Sequence, residues 1–314
     1  MTESEIAEPL ELPRGIALAW GIAAAPQRGP KREMSVERIV DAAVELADAD
    51  GLAAVSMAAV ASKLGFTPMS LYRYVSAKDD LLLLMQEEAL GLPPESLDEA
   101  NGWRARLAEI YRGAVEVYQR HPWLLALPIS GSPITPNSSA WIDATLQALA
   151  ETGLTYDERI AASLTVMGQA RWCGTVQAGY GERARTSGLD DAQMAAQESA
   201  LFDAVIGADE FPGLRRAIDA GVFTSTFDPF RFGLERVLDG VDAYMATRGA
   251  DAAPEPSGHE WIALEEAELA GDKRYLDALK AVRAAEKALR AARKVERQTL
   301  REANERIAKA RAKG

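Results

Sequence analysis

The sequence predicts an all-α protein, and three observations carry that expectation. Apolar residues recur at steps of three and four, and the β-branched residues sit at the same helical spacing, so no stretch reads as a strand. Residues 56–78, SMAAVASKLGFTPMSLYRYVSAK, read as two short helices joined by a tight turn. From about residue 272 the chain is Ala, Lys, Arg, Glu and Leu without proline or an interior glycine, as in one long helix. The expected organisation is a flexible arm over 1–32, a three-helix head over 33–92, a larger helical domain over 96–250 and a helical tail over 259–314.

Composition narrows the class. A chain of 314 residues with 48% hydrophobic content can build two cored domains. No apolar run approaches a membrane span, so no membrane partner is expected. The apolar stretch 16–26 follows Glu3, Glu5, Glu8 and Glu11, where a signal peptide needs basic residues, and a cytoplasmic protein is expected. One cysteine and two histidines argue against a disulfide framework and a metal site. There is no glycine-rich phosphate loop, no HExxH and no serine elbow, so no catalytic residue and no cofactor is assigned. An all-α enzyme is the least supported reading, and an interaction adaptor using the tail is the other rival.

The elements follow in order. The acidic start and residues 13–26 read as disordered or loosely attached, with Trp20 the residue expected to dock. Arg28, Lys31 and Arg32 form a basic arm, read either as a minor-groove contact or as a solvated linker. Ser35 opens the first helix, where Ile39, Ala42, Ala43, Leu46 and Ala47 make an apolar stripe, and Gly51 ends it. Ser56 caps the second helix, Val60 and Leu64 share a face, and Gly65 stops it in the left-handed conformation. Thr67 and Pro68 are the N-cap and first residue of the third helix. Leu71 and Val75 face inward there, leaving Met69, Ser70, Tyr72 and Arg73 outward, which suits a DNA major groove. Residues 51–78 contain no Asp or Glu in a chain of net charge -12, and a surface meeting phosphates excludes carboxylates. A fourth helix is expected from Ser76, with Asp79 completing a capping box, to about residue 90. Lys78 opposes the dipole of its first turn, as a nearby phosphate would require.

The stretch GFTPMSLYRYVSAKDDLL, with SVERIVDAAVELADADGLAAVSMAAVASKLG before it, resembles the DNA-binding head of the TetR family of bacterial transcriptional repressors. The resemblance implies an all-helical homodimer that binds a palindromic double-stranded operator and releases it when a small-molecule effector enters its second domain. On that footing Ser70, Tyr72 and Arg73 contact bases or nearby phosphates, and Met69 meets a thymine methyl. Thr67, Tyr74 and Lys78 clamp phosphates, and Ser56 and Pro68 complete the site. The resemblance does not name the bases.

Beyond a boundary at residues 91–94, helices are expected over 101–119, 137–151, 157–180, 192–206 and 227–248, with shorter pieces near 121–128 and 211–220. Residues 181–191 read as a connection. Trp103, His121, Trp123, Trp141, Met167, Arg171 and Trp172 are the candidate lining of a cavity for a flat or amphipathic effector. The same aromatic stripe is also what an ordinary core looks like. His121 reads as a cap or a satisfied hydrogen bonder, and Cys173 as a buried inert thiol rather than a sensor. The helices at 157–180 and 227–248 resemble the family's dimer elements. The tail over 271–314 carries 14 Lys and Arg against 6 Asp and Glu. Pairing with a dimer mate, packing on the acidic body and a DNA contact all stay open for it.

Overall fold

The computed structural model describes residues 12–22, 34–129, 134–247 and 272–311, and every regular element among them is helical. Residues 1–254 form one compact unit and residues 255–314 a second.

The first helix, α1 (Arg14–Ala19), corrects the expectation of a loose leader. Ile16 is buried, Leu18 and Ala19 lean on the core, and Trp20 donates its indole N–H to the Ile134 carbonyl at 2.7 Å. Gly15 lies so close to Asp80 that a Cβ there would fall 2.8 Å from Oδ1. The basic arm at 28–32 lies outside the described residues.

The head is α2 (Val36–Asp50), α3 (Met57–Leu64) and α4 (Pro68–Leu71). Ser35 and Ser56 cap α2 and α3, each accepting the backbone N–H three residues on. Gly51 and Gly65 terminate them with φ of 80° and 77°, a region that costs glycine little. Ile39, Val60, Leu71 and Val75 are fully buried among the three helices.

Next comes α5 (Lys78–Leu90). The expected Ser76 capping box is absent. The N-cap is Ala77, with no side-chain bond, and Asp79 and Asp80 face the helix dipole from the first turn instead. Leu81 and Met85 are fully buried.

In the body, α6 (Gly102–Arg120) packs against α7 (Pro136–Ala148) and α8 (Tyr156–Ser187), burying Leu107, Ile110, Leu149 and Val166 completely. Gly174 permits the approach of α8 to α6, since a Cβ there would lie 2.8 Å from the Tyr118 Cβ. Thr155 and Glu158 form a reciprocal capping box that starts α8. This helix runs to Ser187, through the stretch expected to be a connection. Arg183 there pairs with Glu198 at 2.7 Å, and Gly188 with φ 67° supplies the actual stop. Then follow α9 (Asp191–Val205), α10 (Pro212–Asp219) and α11 (Pro229–Thr247). Arg104 clasps α6 to α11 by pairing with Glu235 at 3.0 Å and with Asp239. In the second unit, α12 (Lys273–Arg311) is a single helix of 39 residues.

Candidate nucleic-acid interface and effector groove

The reading surface is built on two buried anchors. Leu71 and Val75, both fully buried, hold the backbone of α4 and the turn after it against the head. The neighbouring side chains must then point outward. Met69 is 71% exposed and Tyr72 is 46% exposed, with Thr67, Pro68, Arg73 and Lys78 also on the surface. Ser70 is half-buried, and its hydroxyl pairs with that of Thr67 at 2.9 Å. Thr67 therefore occupies the N-cap position while spending its hydroxyl on Ser70, with no side-chain bond to the α4 backbone. Tyr74 is half-buried and packs on the core, which leaves only part of it for a phosphate. Ser56 is exposed and committed to its cap.

The regular part of the recognition helix is one turn, shorter than the sequence reading through Tyr74. Tyr74 N–H bonds the Leu71 carbonyl at 2.8 Å, an i→i+3 closure that tightens the turn. The residues Tyr72, Tyr74 and Val75 have modest helix propensity, so packing sets the local path. The acid-free window also gains a carboxylate in space. Glu45 on α2 pairs with Lys63 at 3.0 Å, so Arg73 and Lys78 remain the main exposed cations beside the reading turn.

Two joints connect this head to the body. Asp48, near the end of α2, takes hydrogen bonds from His121 Nδ1 at 2.8 Å and Trp123 Nε1 at 2.7 Å through one oxygen. At the other joint, Glu87 on α5 accepts the Asn137 backbone N–H at 2.5 Å, while the Asn137 amide donates to the Glu87 carbonyl at 2.8 Å. That carboxylate sits at the N-terminus of α7, where the helix dipole favours it. Trp141 adds a bond to the Gly91 carbonyl at 3.0 Å.

Three of the seven residues assigned to an effector cavity, His121, Trp123 and Trp141, therefore bond across these joints. Arg171 donates to the Leu125 and Leu127 carbonyls at 2.9 and 3.0 Å, closing the short helical turn Pro122–Ala126. Trp103 and Met167 are half-buried against the core, and Trp172 on α8 is 59% exposed. Cys173 is buried, and burial raises its thiol pKa, as expected of an inert cysteine. Its neighbour is the buried Tyr111 hydroxyl, whose pKa is also raised by burial and for which a thiol is a weak partner.

An open groove of ≈ 400 Å³ lies elsewhere, between α8 and α11. Its apolar wall includes Leu154, Ala161, Ala162, Val237 and Val241, and Glu158, Thr165, Arg236 and Tyr244 supply polar groups. Tyr244 donates its hydroxyl to Glu158 at 2.6 Å. None of the seven expected lining residues borders this groove. The sequence signal for it was the small-residue run on α8 opposite Val237 and Val241, which reads equally well as helix packing.

A helix-turn-helix head carried on a larger helical body defines a DNA-binding transcriptional regulator. Residues 39–85 match the family described as bacterial regulatory proteins, tetR family, and residues 94–245 match the tetracyclin repressor-like C-terminal domain. Over 245 residues the chain is 34% identical to the HTH-type transcriptional repressor DrrR1 of Streptomyces coeruleorubidus, spanning 78% of this chain and 90% of that relative. An HTH-type transcriptional regulator of Saccharopolyspora erythraea is 32% identical over 140 residues, 45% of this chain and 59% of the relative. Among solved structures, the Streptomyces coelicolor TetR family protein ActR in complex with (S)-DNPA has a TM-score of 0.54 at 25% identity, covering 68% of this chain and 100% of that one. The chain belongs to the TetR family. It is a DNA-binding transcriptional regulator of that family.

Proposed function

We propose that two copies of this chain bind a palindromic operator in the cytoplasm and release it when a small molecule occupies the helical body. One observation carries the reading: Met69, Tyr72 and Arg73 face outward from a turn whose own anchors, Leu71 and Val75, are fully buried. In this reading Arg73 reaches a guanine edge or the adjacent phosphate, Met69 meets a thymine methyl, and Ser70 and Tyr72 contact bases or sugar-phosphate. Thr67, Tyr74 and Lys78 set the register on the backbone.

Dimerisation is supported by α8, where Ile160, Leu164 and Trp172 fall within about a third of the helix circumference and remain 36–61% exposed. A row of that kind on a soluble helix marks an association surface. Trp172 fits this face better than an effector cavity. The groove of Leu154, Glu158, Arg236 and Tyr244 is the effector site we favour, because it combines an apolar wall with a few polar groups. ActR with (S)-DNPA bound supports a small-molecule effector for this chain as well. Release requires only that the effector prefer a form with a different head separation, and about 5.5 kcal/mol of preference converts the population almost fully. The joints at Asp48 and Glu87 are where such a preference reaches the head.

Selection from a random duplex pool tests the proposal. The expected product is a two-fold symmetric site with half-sites about 34–36 Å apart. Recovery of no preferred sequence would overturn it.

A further inference from the structure

The long helix of the second unit lies beyond residue 245, where the family match ends. Six cations occupy one side of it: Lys280, Arg283, Lys287, Arg290, Lys294 and Arg297. Their steps are three, four, three, four and three, which keeps them within about a third of the helix circumference, drifting by roughly 20° every seven residues. All six are exposed. The row spans about 26 Å at the rise of an α-helix. The opposite side carries Ala281, Ala285, Ala288 and Ala292, bordered by the exposed Val282, Leu289 and Val295. Of the acids of this stretch, Glu296 lies away from the row, and Glu286 borders it one turn from Arg283 and Arg290.

From this spacing we propose that α12 lies along the sugar-phosphate backbone of duplex DNA and supplies a sequence-independent part of the affinity. A straight, regular row of cations complements a straight polyanion. B-DNA carries one charge per about 1.7 Å, and displaced counterions provide the driving force. An acidic protein surface holds no such condensed counterion layer, so it is the weaker competitor. Pairing of α12 with its copy is disfavoured because its apolar residues Val282, Leu289, Leu300 and Ile307 follow steps of seven, eleven and seven, a single broken seam instead of a full a/d leucine stripe. The inference extends the operator-binding reading above without needing the same residues. Recognition stays with the head, and the tail adds residence on any duplex.

The test uses the full chain, a six-fold Lys/Arg→Gln variant of the row, and Arg73→Ala, each titrated against a fluorescent random-sequence duplex at several salt concentrations. Glutamine keeps the helix, which circular dichroism verifies. If four of the six cations engage phosphates, the slope of log K against log salt flattens by about 3.6 in the Gln variant. The affinity ratio of full chain to Gln variant on random duplex then shrinks about 150-fold between 50 and 200 mM salt. Arg73→Ala keeps most of the full chain's salt dependence on this probe. Equal slopes for the full chain and the Gln variant would overturn the proposal, and would point to self-pairing or to docking on the acidic body. A full chain that shows the slope difference but prefers no sequence would sink the operator reading while leaving the tail assignment intact.

Discussion

Arg73 is available to DNA because it has no packing duty, and Leu71 is not because it has. This division predicts how single substitutions separate. Arg73→Ala should weaken operator binding by about 1–3 kcal/mol and relax the preference at one position if it reads a base. Competition between matched and singly mismatched duplexes distinguishes that from uniform loss, the sign of a phosphate contact. Thermal stability should stay unchanged. Asp48→Ala should behave in the opposite way. It strips the acceptor from His121 and from Trp123, which is 4% exposed, and an unpartnered buried indole N–H costs about 1–3 kcal/mol. Urea unfolding measures this, and an unchanged midpoint would show that the joint contributes nothing. The exposed face of the reading turn was legible because local spacing alone separates inside from outside there. His121 read as a satisfied hydrogen bonder and is one, but its partner and the role of Trp123 were not legible, because Asp48 lies more than 70 positions away. An aromatic in a stripe looks the same whether it lines a cavity or ties two domains.

Helix types and most boundaries were legible from periodicity and caps, and the departures have local causes. Residues 181–191 read as a connection, but Gly181 has no positive φ to end α8, and the cross-helix pair Arg183–Glu198 holds the extra turns. Residues 13–20 looked like a loose leader because their burial depends on Asp80 and Ile134, which are distant in sequence. Replacing Gly15 with leucine should undock α1, since the new side chain meets the α5 backbone at Asp80. Limited proteolysis at the N-terminal segment should then accelerate, and an unaltered cleavage rate would mean that α1 contributes no protection. The clasp between α6 and α11 has a pH signature. Asp239 titrates below its usual value, chiefly through its hydrogen bond from Arg104 and then that from Arg236. A carboxylate depressed in the folded state stabilises in full above its unfolded pKa, 3.8, and loses that contribution as pH falls through the lower folded value. The stability gap between wild type and Asp239→Asn should therefore be flat near neutrality and close in strongly acidic solution. Urea melts across a pH series check this.

For the molecule as a whole, the α8 row of Leu164 and Trp172 makes a clear prediction about assembly. Leu164→Glu, at a side 61% exposed, should yield a folded monomer by light scattering. Operator affinity should then drop by about 10²–10⁴, because the second half-site no longer binds at high effective concentration. A variant that remained dimeric would move the association surface off α8. At this scale the sequence conveyed the helical head and body but not the groove between α8 and α11, whose walls come from residues about 80 positions apart. The charge imbalance between tail and body was visible from counting, whereas the order within the tail's cations required their placement on one helix.

The single-turn α4 has an evolutionary corollary. On the operator reading proposed above, a reader that offers so few side chains, none of them holding the fold together, can be retargeted by swapping Met69, Tyr72 or Arg73 without refolding the protein. New promoters can thus come under such a regulator through a handful of point changes, while the machinery that senses the signal is left untouched.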